Sequence, residues 1–416
     1  MKRPFQRALA GAAIVTSLAL AVSSCGFGAK SDDSGPNTIS FLAPAYSDGA
    51  NGTKALWDRI IADFQQANPD ITVKLQMESW NSINDVVKTK LQSQETTPDV
   101  LNIDAYVSFA ADGLLYPATD IASESVIADI QPGFAQNASL DGKQMALPLF
   151  ASTRTLFYNT ELFARAGITA PPKTWAELTE AATKIQALGG GISGYGLPLG
   201  SEESQGETSI WTFGAGGSWS DGDKITVDTP QNLEGVRAMR QLVDSGATQP
   251  NPGATDRKDV INAFIQGRIG MIEGLPPTVS QIAGKNPGLK YATAPSPTKS
   301  GDPVTLGVAD HLMAFKKDGT KQVAIRKFVD YFYSAPVYSH FVKTEGFIAI
   351  TKSGASALTD DPVTKAFVAT LPVAKFYPSN NPKWGAAQGA IKQQMGTIAQ
   401  GADPAAVLAK IQEAAK

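Results

Sequence analysis

Two histidines, His311 and His340, and a single cysteine, Cys25, are the only imidazoles and the only thiol in 416 residues. A nucleophile–base pair or a soft-metal site therefore has little to draw on. The sequence contains no Gly-x-Ser-x-Gly elbow and no His-Glu-x-x-His. Ser296-Pro297-Thr298-Lys299 has the form Ser-x-x-Lys, but it reads as a proline-rich strand exit and not as the start of a helix. Gly214-Ala215-Gly216-Gly217 lacks the Lys-Ser/Thr of a phosphate loop and runs into a hairpin pattern, Trp219 to Val227. Asp221-Gly222-Asp223 reads as turn chemistry and not as a calcium loop. No metal and no cofactor is expected, and an exported glycoside hydrolase using paired carboxylates stays only as a remote alternative. What the sequence does supply is planar polar side chains interleaved with aromatic rings: Tyr46 and Asp48, then Glu78, Trp80 and Asn81, then Asp104 and Tyr106. Flat faces for C–H patches and forks for adjacent hydroxyls are the equipment for binding a polyhydroxylated small molecule.

These clusters all follow candidate strands. Thr38 to Ala43 is a short apolar run, and a Gly/Asn/Asp-rich loop, Tyr46 to Thr53, comes after it. Leu56, Trp57, Ile60, Ile61 and Phe64 then recur at helical spacing up to the stop Asn68-Pro69-Asp70. Ile71, Val73, Leu75 and Met77 alternate with polar residues, which predicts a half-buried strand. Asp85 to Gln94 predicts a second helix, and Val100-Leu101-Asn102-Ile103 a buried strand. Strand and helix in alternation imply a mostly parallel sheet covered by helices, in which ligands sit beyond the carboxyl ends of the strands. Downstream, Thr174-Trp175-Ala176-Glu177 is a capping box, Thr229-Pro230 starts another helix, and amphipathic helices are predicted over Lys321 to Tyr333 and Ala405 to Ala415.

The N-terminus sets the compartment. Lys2, Arg3 and Arg7 precede an uncharged, mostly apolar stretch, Ala8 to Val22, which is short for a membrane span and suits a signal peptide over residues 1–24. Val22-Ser23-Ser24-Cys25 resembles a lipobox, so Cys25 is the expected lipidation site and residues 25–36 a polar tether. The mature chain is then expected at the outer face of the cell membrane, held through its lipid. A net charge of −3, with no basic run beyond the first residues, argues against a nucleic-acid partner. The length suits two domains.

Several segments together resemble the extracellular solute-binding proteins of carbohydrate ABC importers, the family of the maltose-binding and glycerol-phosphate-binding proteins. They are Asp141 to Pro148, Leu156-Phe157-Tyr158-Asn159, Phe163 to Gly167, and Pro171-Pro172-Lys173-Thr174-Trp175, with support from Phe64 to Ile71, Thr97 to Val100, Gly113 to Pro117, Phe264 to Met271 and Glu345-Gly346-Phe347. The resemblance implies an α/β fold of two lobes with a ligand cleft between them. Lobe 1 would hold 37–150 and 294–335, and lobe 2 would hold 151–293 and 336–416. It also implies a monomer that captures a small carbohydrate and hands it to the transmembrane permease subunits of an importer, without catalysis. A receptor for a glycerophosphodiester or a polyol is the alternative.

The resemblance adds site residues to those after the first strands. Ser152 and Arg154 fall at the first crossing between lobes, where Arg154 serves either the ligand or a hinge ion pair. Trp211 falls in a segment that often contributes a ring. Glu273, Asp310 with His311, and Phe347 follow further elements, and Trp384 with Gln388 stands where maltose-type members place an aromatic platform and a polar partner.

Overall fold

The computed structural model describes residues 35–47 and 52–416; the expected leader, Cys25 and Asp48 lie outside the described residues. The three early strands form as β1 (Thr38–Pro44), β2 (Thr72–Glu78) and β3 (Val100–Ile103). All three are parallel, with β1 in the middle. α1 (Thr53–Ala67) carries the chain from β1 to β2 and buries Leu56, Trp57, Ile60, Ile61 and Phe64, the stripe that the spacing predicts. Burying side chains of this size is worth about 1.5–3 kcal/mol each, so the stripe alone fixes the helix on its sheet.

β4 (Leu147–Thr153) belongs to the first sheet and β5 (Thr155–Asn159) to a second. Arg154 is the one residue between them. The second sheet is completed by β6 (Ser193–Gly196), β7 (Ile269–Gly274) and β8 (Tyr291–Ala294), in the order β8–β5–β7–β6. β9 (Thr305–Ala314) then returns to the first sheet. It lies antiparallel to β3 and β4 and parallel to β10 (Ala374–Phe376), in the order β10–β9–β3–β1–β2. A register shift against β4 at Asp310/His311 bends the ladder there. Two helix-covered sheets give the two-lobed α/β arrangement that the family resemblance implies.

The helices that matter to the site start on local signals or on close packing. α2 (Trp175–Gln186) begins on the expected capping box: Glu177 N donates to Thr174 Oγ1 at 3.2 Å, and Thr174 N donates to the Glu177 carboxylate at 3.1 Å. α3 (Ser204–Gly214) is buried along its whole length beneath α4 (Pro230–Asp244). Gly235 permits that approach, since a Cβ there would stand 2.6 Å from the Trp211 carbonyl oxygen. α5 (Arg257–Ile265) and α6 (Pro277–Lys285) flank the second sheet. α7 (Gln322–Phe332) buries Ile325, Phe328, Val329 and Phe332, while Val323 in its first turn points out at 71% exposure. α8 (Ala335–Glu345) sets Phe341 4.7 Å from Trp57 and 5.3 Å from Phe332. α9 (Trp384–Gln394) packs Trp384 against Trp219 of the second half.

Smaller departures concern element bounds. The helix expected over Asp85 to Gln94 runs Ile83–Lys90, and the hairpin around Gly222 closes on only two paired positions. Glu273 and Asp310, expected just past strand ends, lie inside β7 and β9, which extend beyond the ends read from sequence. Among the described residues no helix is long and apolar enough to cross a membrane.

Candidate ligand-binding site

A cavity of ≈ 1020 Å³ opens where the strand ends of the two sheets meet. From the first sheet it takes Tyr46 and Ser47 after β1, Trp80 and Asn81 after β2, Asp104 after β3, Ser152 near the end of β4 and Asp310 of β9. Phe347, just past α8, joins them. Facing these are Arg154, Glu203 and Gln205 at the start of α3, Arg257 of α5, Leu275 and Pro277 after β7, and Tyr377 after β10. The volume suits a ligand of sugar or disaccharide size.

The aromatic side of the wall is built on Tyr46. Its ring meets Trp80 at 5.6 Å, Phe150 at 4.9 Å and Phe347 at 5.2 Å, each edge-on, while Phe150 and Phe347 stack at 3.9 Å. The Tyr46 hydroxyl lies 3.0 Å from Asn102 Oδ1 and 2.8 Å from Asp310 Oδ2. Asn102 is oriented by its own Nδ2, which donates to the His311 carbonyl at 3.1 Å. One hydroxyl proton cannot serve two acceptors, so with Tyr46 donating to Asn102 the contact to Asp310 is made by a proton on the carboxyl. Burial accounts for that proton: it pushes the Asp310 carboxyl up to about 8, and the neighbouring Asp104 charge adds to the effect. At neutral pH Asp310 is therefore a donor.

His311, next in the chain, is buried and pushed down to about 4 by desolvation. Its Nδ1 sits 2.8 Å from the Asp104 carbonyl oxygen, which requires the proton on Nδ1 and makes His311 a neutral support for the Asp104 loop.

The opposite wall is ionic. Arg154 and Arg257, 2% and 4% exposed, both bind Glu203. Arg154 donates to one carboxylate oxygen, and Arg257 Nε donates to the other at 2.5 Å. Arg257 also donates to Glu207 Oε2 at 3.1 Å and to the Glu273 carbonyl at 2.9 Å. The other oxygen of Glu207 accepts from Tyr195 at 2.8 Å and from Trp211 Nε1 at 3.1 Å. Burial alone would push the Glu203 carboxyl up, but the two guanidiniums outweigh it and hold it below its ordinary value. Glu273, desolvated and taking one hydrogen bond from Ser296 at 2.7 Å, is pushed up to about 8 and is neutral at pH 7.

Of the residues singled out from sequence, the structure brings Tyr46, Glu78, Trp80, Asn81, Asp104, Ser152, Arg154, Asp310 and Phe347 onto the cavity. Gln388 is one step behind, donating to Asp104 Oδ2 at 2.6 Å. Besides His311, four others lie off the lining. Tyr106 is buried with its hydroxyl on the Asn137 carbonyl at 2.7 Å. Trp211 is buried against Trp175, and Glu273 is buried behind Arg257. Trp384 is 2% exposed and stacks on Tyr377 at 5.2 Å, so Tyr377 is the ring that reaches the cavity. Each of the four occupies core that a strand-end or helix-end reading cannot separate from a cleft.

Sequence reasoning missed Glu203, Gln205, Arg257 and Tyr377. One signal was present: Glu207 is the only charge between Ser204 and Ser220. A lone charge in an otherwise uncharged buried helix must find a buried partner.

Comparison with known proteins agrees with this geometry. The description "Bacterial extracellular solute-binding protein" matches residues 49–338. A protein of Brucella abortus (strain 2308), named as a binding protein, is 31% identical over 338 residues, covering 78% of this chain and 80% of its own. The diacetylchitobiose binding protein DasA of Streptomyces coelicolor is 24% identical over 84% of this chain and 83% of its own. The solved solute-binding protein of Thermotoga lettingae TMO, bound with alpha-D-tagatose, superposes with a TM-score of 0.79 at 23% identity, covering 91% of this chain and 98% of that one. By its sequence, and with a fold to match, the chain belongs to the bacterial extracellular solute-binding protein family.

Proposed function

We propose that this chain captures a small carbohydrate outside the cell and delivers it to the permease subunits of an ABC importer, acting by binding alone. The observation that carries the reading is the cavity itself: rings at Tyr46, Trp80, Phe347 and Tyr377 alternate with the polar groups of Asn81, Asp104, Arg154 and Asp310. Rings pack against sugar C–H faces, and forked polar groups pair with adjacent hydroxyls. The diacetylchitobiose-binding relative supports the carbohydrate class. Asn81, Asp104, Ser152, Arg154 and Asp310 are the proposed polar contacts, with Gln388 holding Asp104 in place. Asp48, outside the described residues, is kept as a proposed ligand contact on its place in the sequence.

The lobes are proposed to divide at Arg154 and again between Ala294 and Thr305, close to the boundaries read from sequence. The packing of Phe341 on Trp57 and of Phe347 on Phe150 supports assigning residues 336–376 to the first lobe and not to the second. Lipidation of Cys25 would hold a monomeric receptor at the outer face of the membrane.

A thermal-shift screen against mono- and disaccharides, polyols and glycerophosphodiesters tests the binding class. A ligand at 100 times its dissociation constant stabilises the folded chain by about 2.7 kcal/mol. A chain that no member of the screen stabilises, while a chromogenic glycoside is turned over, would reverse the reading in favour of a hydrolase.

A further inference from the structure

We propose that Glu203 sets the charge class of the ligand: by occupying both cavity arginines it reserves the site for neutral hydroxylated molecules and excludes phosphates. The inference rests on the cavity being the binding site. Arg154 and Arg257 line the cavity, and a guanidinium is the usual partner of a phosphate because its planar fork matches two oxygens at once. Here neither has its fork free: the two terminal nitrogens of Arg154 are taken by Ser152 and Glu203, which leaves only its Nε for a ligand. Glu203 accepts from both, and Arg257 is committed a second time to Glu207, which is 0% exposed. Two arginines and two glutamates cancel, so an arriving anion meets a neutral wall with Asp104 opposite. Of the lysines on the lining, Lys258 and Lys285 are exposed and Lys392 is half-buried, where solvent and salt screen them.

A second observation calls for hydroxyl groups on the ligand. Arg154 Nε, Gln205 Oε1 and the Tyr377 hydroxyl are buried with no hydrogen-bond partner, and all three residues are on the lining. Leaving such groups unpaired is costly, so the ligand must satisfy them. Gln205 Oε1 only accepts, and Arg154 Nε only donates. A hydroxyl can serve either one, because it both gives and takes. An unprotonated phosphate oxygen can accept from Arg154 Nε but has no proton for Gln205 Oε1, whereas hydroxyls satisfy both.

The test removes the carboxylate charge and keeps its shape. Inorganic phosphate and glycerol 3-phosphate are titrated calorimetrically, at low salt, into the wild-type chain and into Glu203→Gln. The expected result is no measurable binding by the wild type and at least about tenfold tighter phosphate binding by the variant. Adding Arg154→Gln to that variant should remove the gain. Wild-type binding of phosphate as tight as the variant's, or a folded Glu203→Gln that gains nothing, overturns the proposal. If Glu203→Gln does not fold, Glu203→Asp carries the test, because a carboxylate one methylene shorter loosens the grip on the two guanidiniums: phosphate affinity rising above wild type supports the proposal, and no rise overturns it. Failure of the sugar and polyol screen on the wild type would sink the binding class separately, since the phosphate titrations do not depend on that ligand.

Discussion

Removing the Trp384 ring is the most informative single change, because the sequence and the structure assign it different work. Sequence position makes it an aromatic platform for ligand, whereas the structure packs it behind Tyr377 at 5.2 Å and beside Trp219 at 6.1 Å. A buried tryptophan cut to alanine costs about 3–5 kcal/mol, through lost transfer energy and the cavity left behind. The unfolding entropy of the compact unit Pro36–Lys416, at about 2.1 cal/mol/K per residue, is about 0.8 kcal/mol/K. Trp384→Ala should therefore lower the ligand-free Tm by about 5 °C, or about twice that if the second lobe melts as its own unit. Its ligand affinity should fall little. Tyr377→Ala should lose about 1–3 kcal/mol of binding, or roughly five- to a hundredfold in Kd, and, because this ring is itself only 4% exposed, should lower the Tm as well. Differential scanning calorimetry and ligand titration on both variants separate the cases. A Trp384→Ala chain that melts like wild type but has lost its affinity would show that this ring turns onto the ligand, and the packing argument would be refuted.

Three further outcomes are expected. The carboxyls of Asp310 and Glu273, both raised to about 8, hold protons in the folded chain that the unfolded chain releases near pH 4. Their contribution to stability is therefore full below about pH 4 and is lost as pH rises towards 8; a plot of Tm against pH should fall less steeply over that window in Asp310→Asn, and an unchanged slope would contradict the protonated reading. His311, lowered to about 4, opposes this between about pH 4 and 6.5, where it loses stability as pH falls. Glu207→Gln leaves Arg257 with a weaker buried partner and should cost about 3 kcal/mol by denaturant titration; a loss under 1 kcal/mol would mean that the pair is dispensable. Cys25→Ala should move the protein from the membrane fraction to the medium, and quantitative sedimentation with membranes would remove the lipid anchor.

The parts of the fold that were readable were those written in a local code. The stripe on α1, the alternation of β2 and the Thr174–Glu177 box each depend on a few neighbouring residues, and each forms as the spacing predicts. The site was half readable for the same reason. Tyr46, Trp80 and Asp104 follow parallel strands, and topology alone sends such loops to the cleft. The ionic wall was not readable, because Glu203 meets Arg154 and Arg257 across 49 and 54 residues of chain. Nor could spacing tell that Tyr377 faces the cavity and Trp384 the core. Both are aromatics near the same turn, and only the packing of Trp219 decides which one is covered.

The order in which the strands occur along the chain also governs how the protein can assemble. All four strands of the second sheet lie between Thr155 and Ala294, so that sheet can close as soon as residue 294 is free to fold. The first sheet begins at Thr38 but must wait for β9, whose Leu312 pairs with Asn102, and for β10 at Ala374–Phe376. Contacts that span some 200 residues carry the entropy of a long loop before they return any energy, and they form slowly. During export the first three strands and α1 would thus stand with an open edge at β3 until the far end of the chain arrives, and this early half is where a holding chaperone would be needed most.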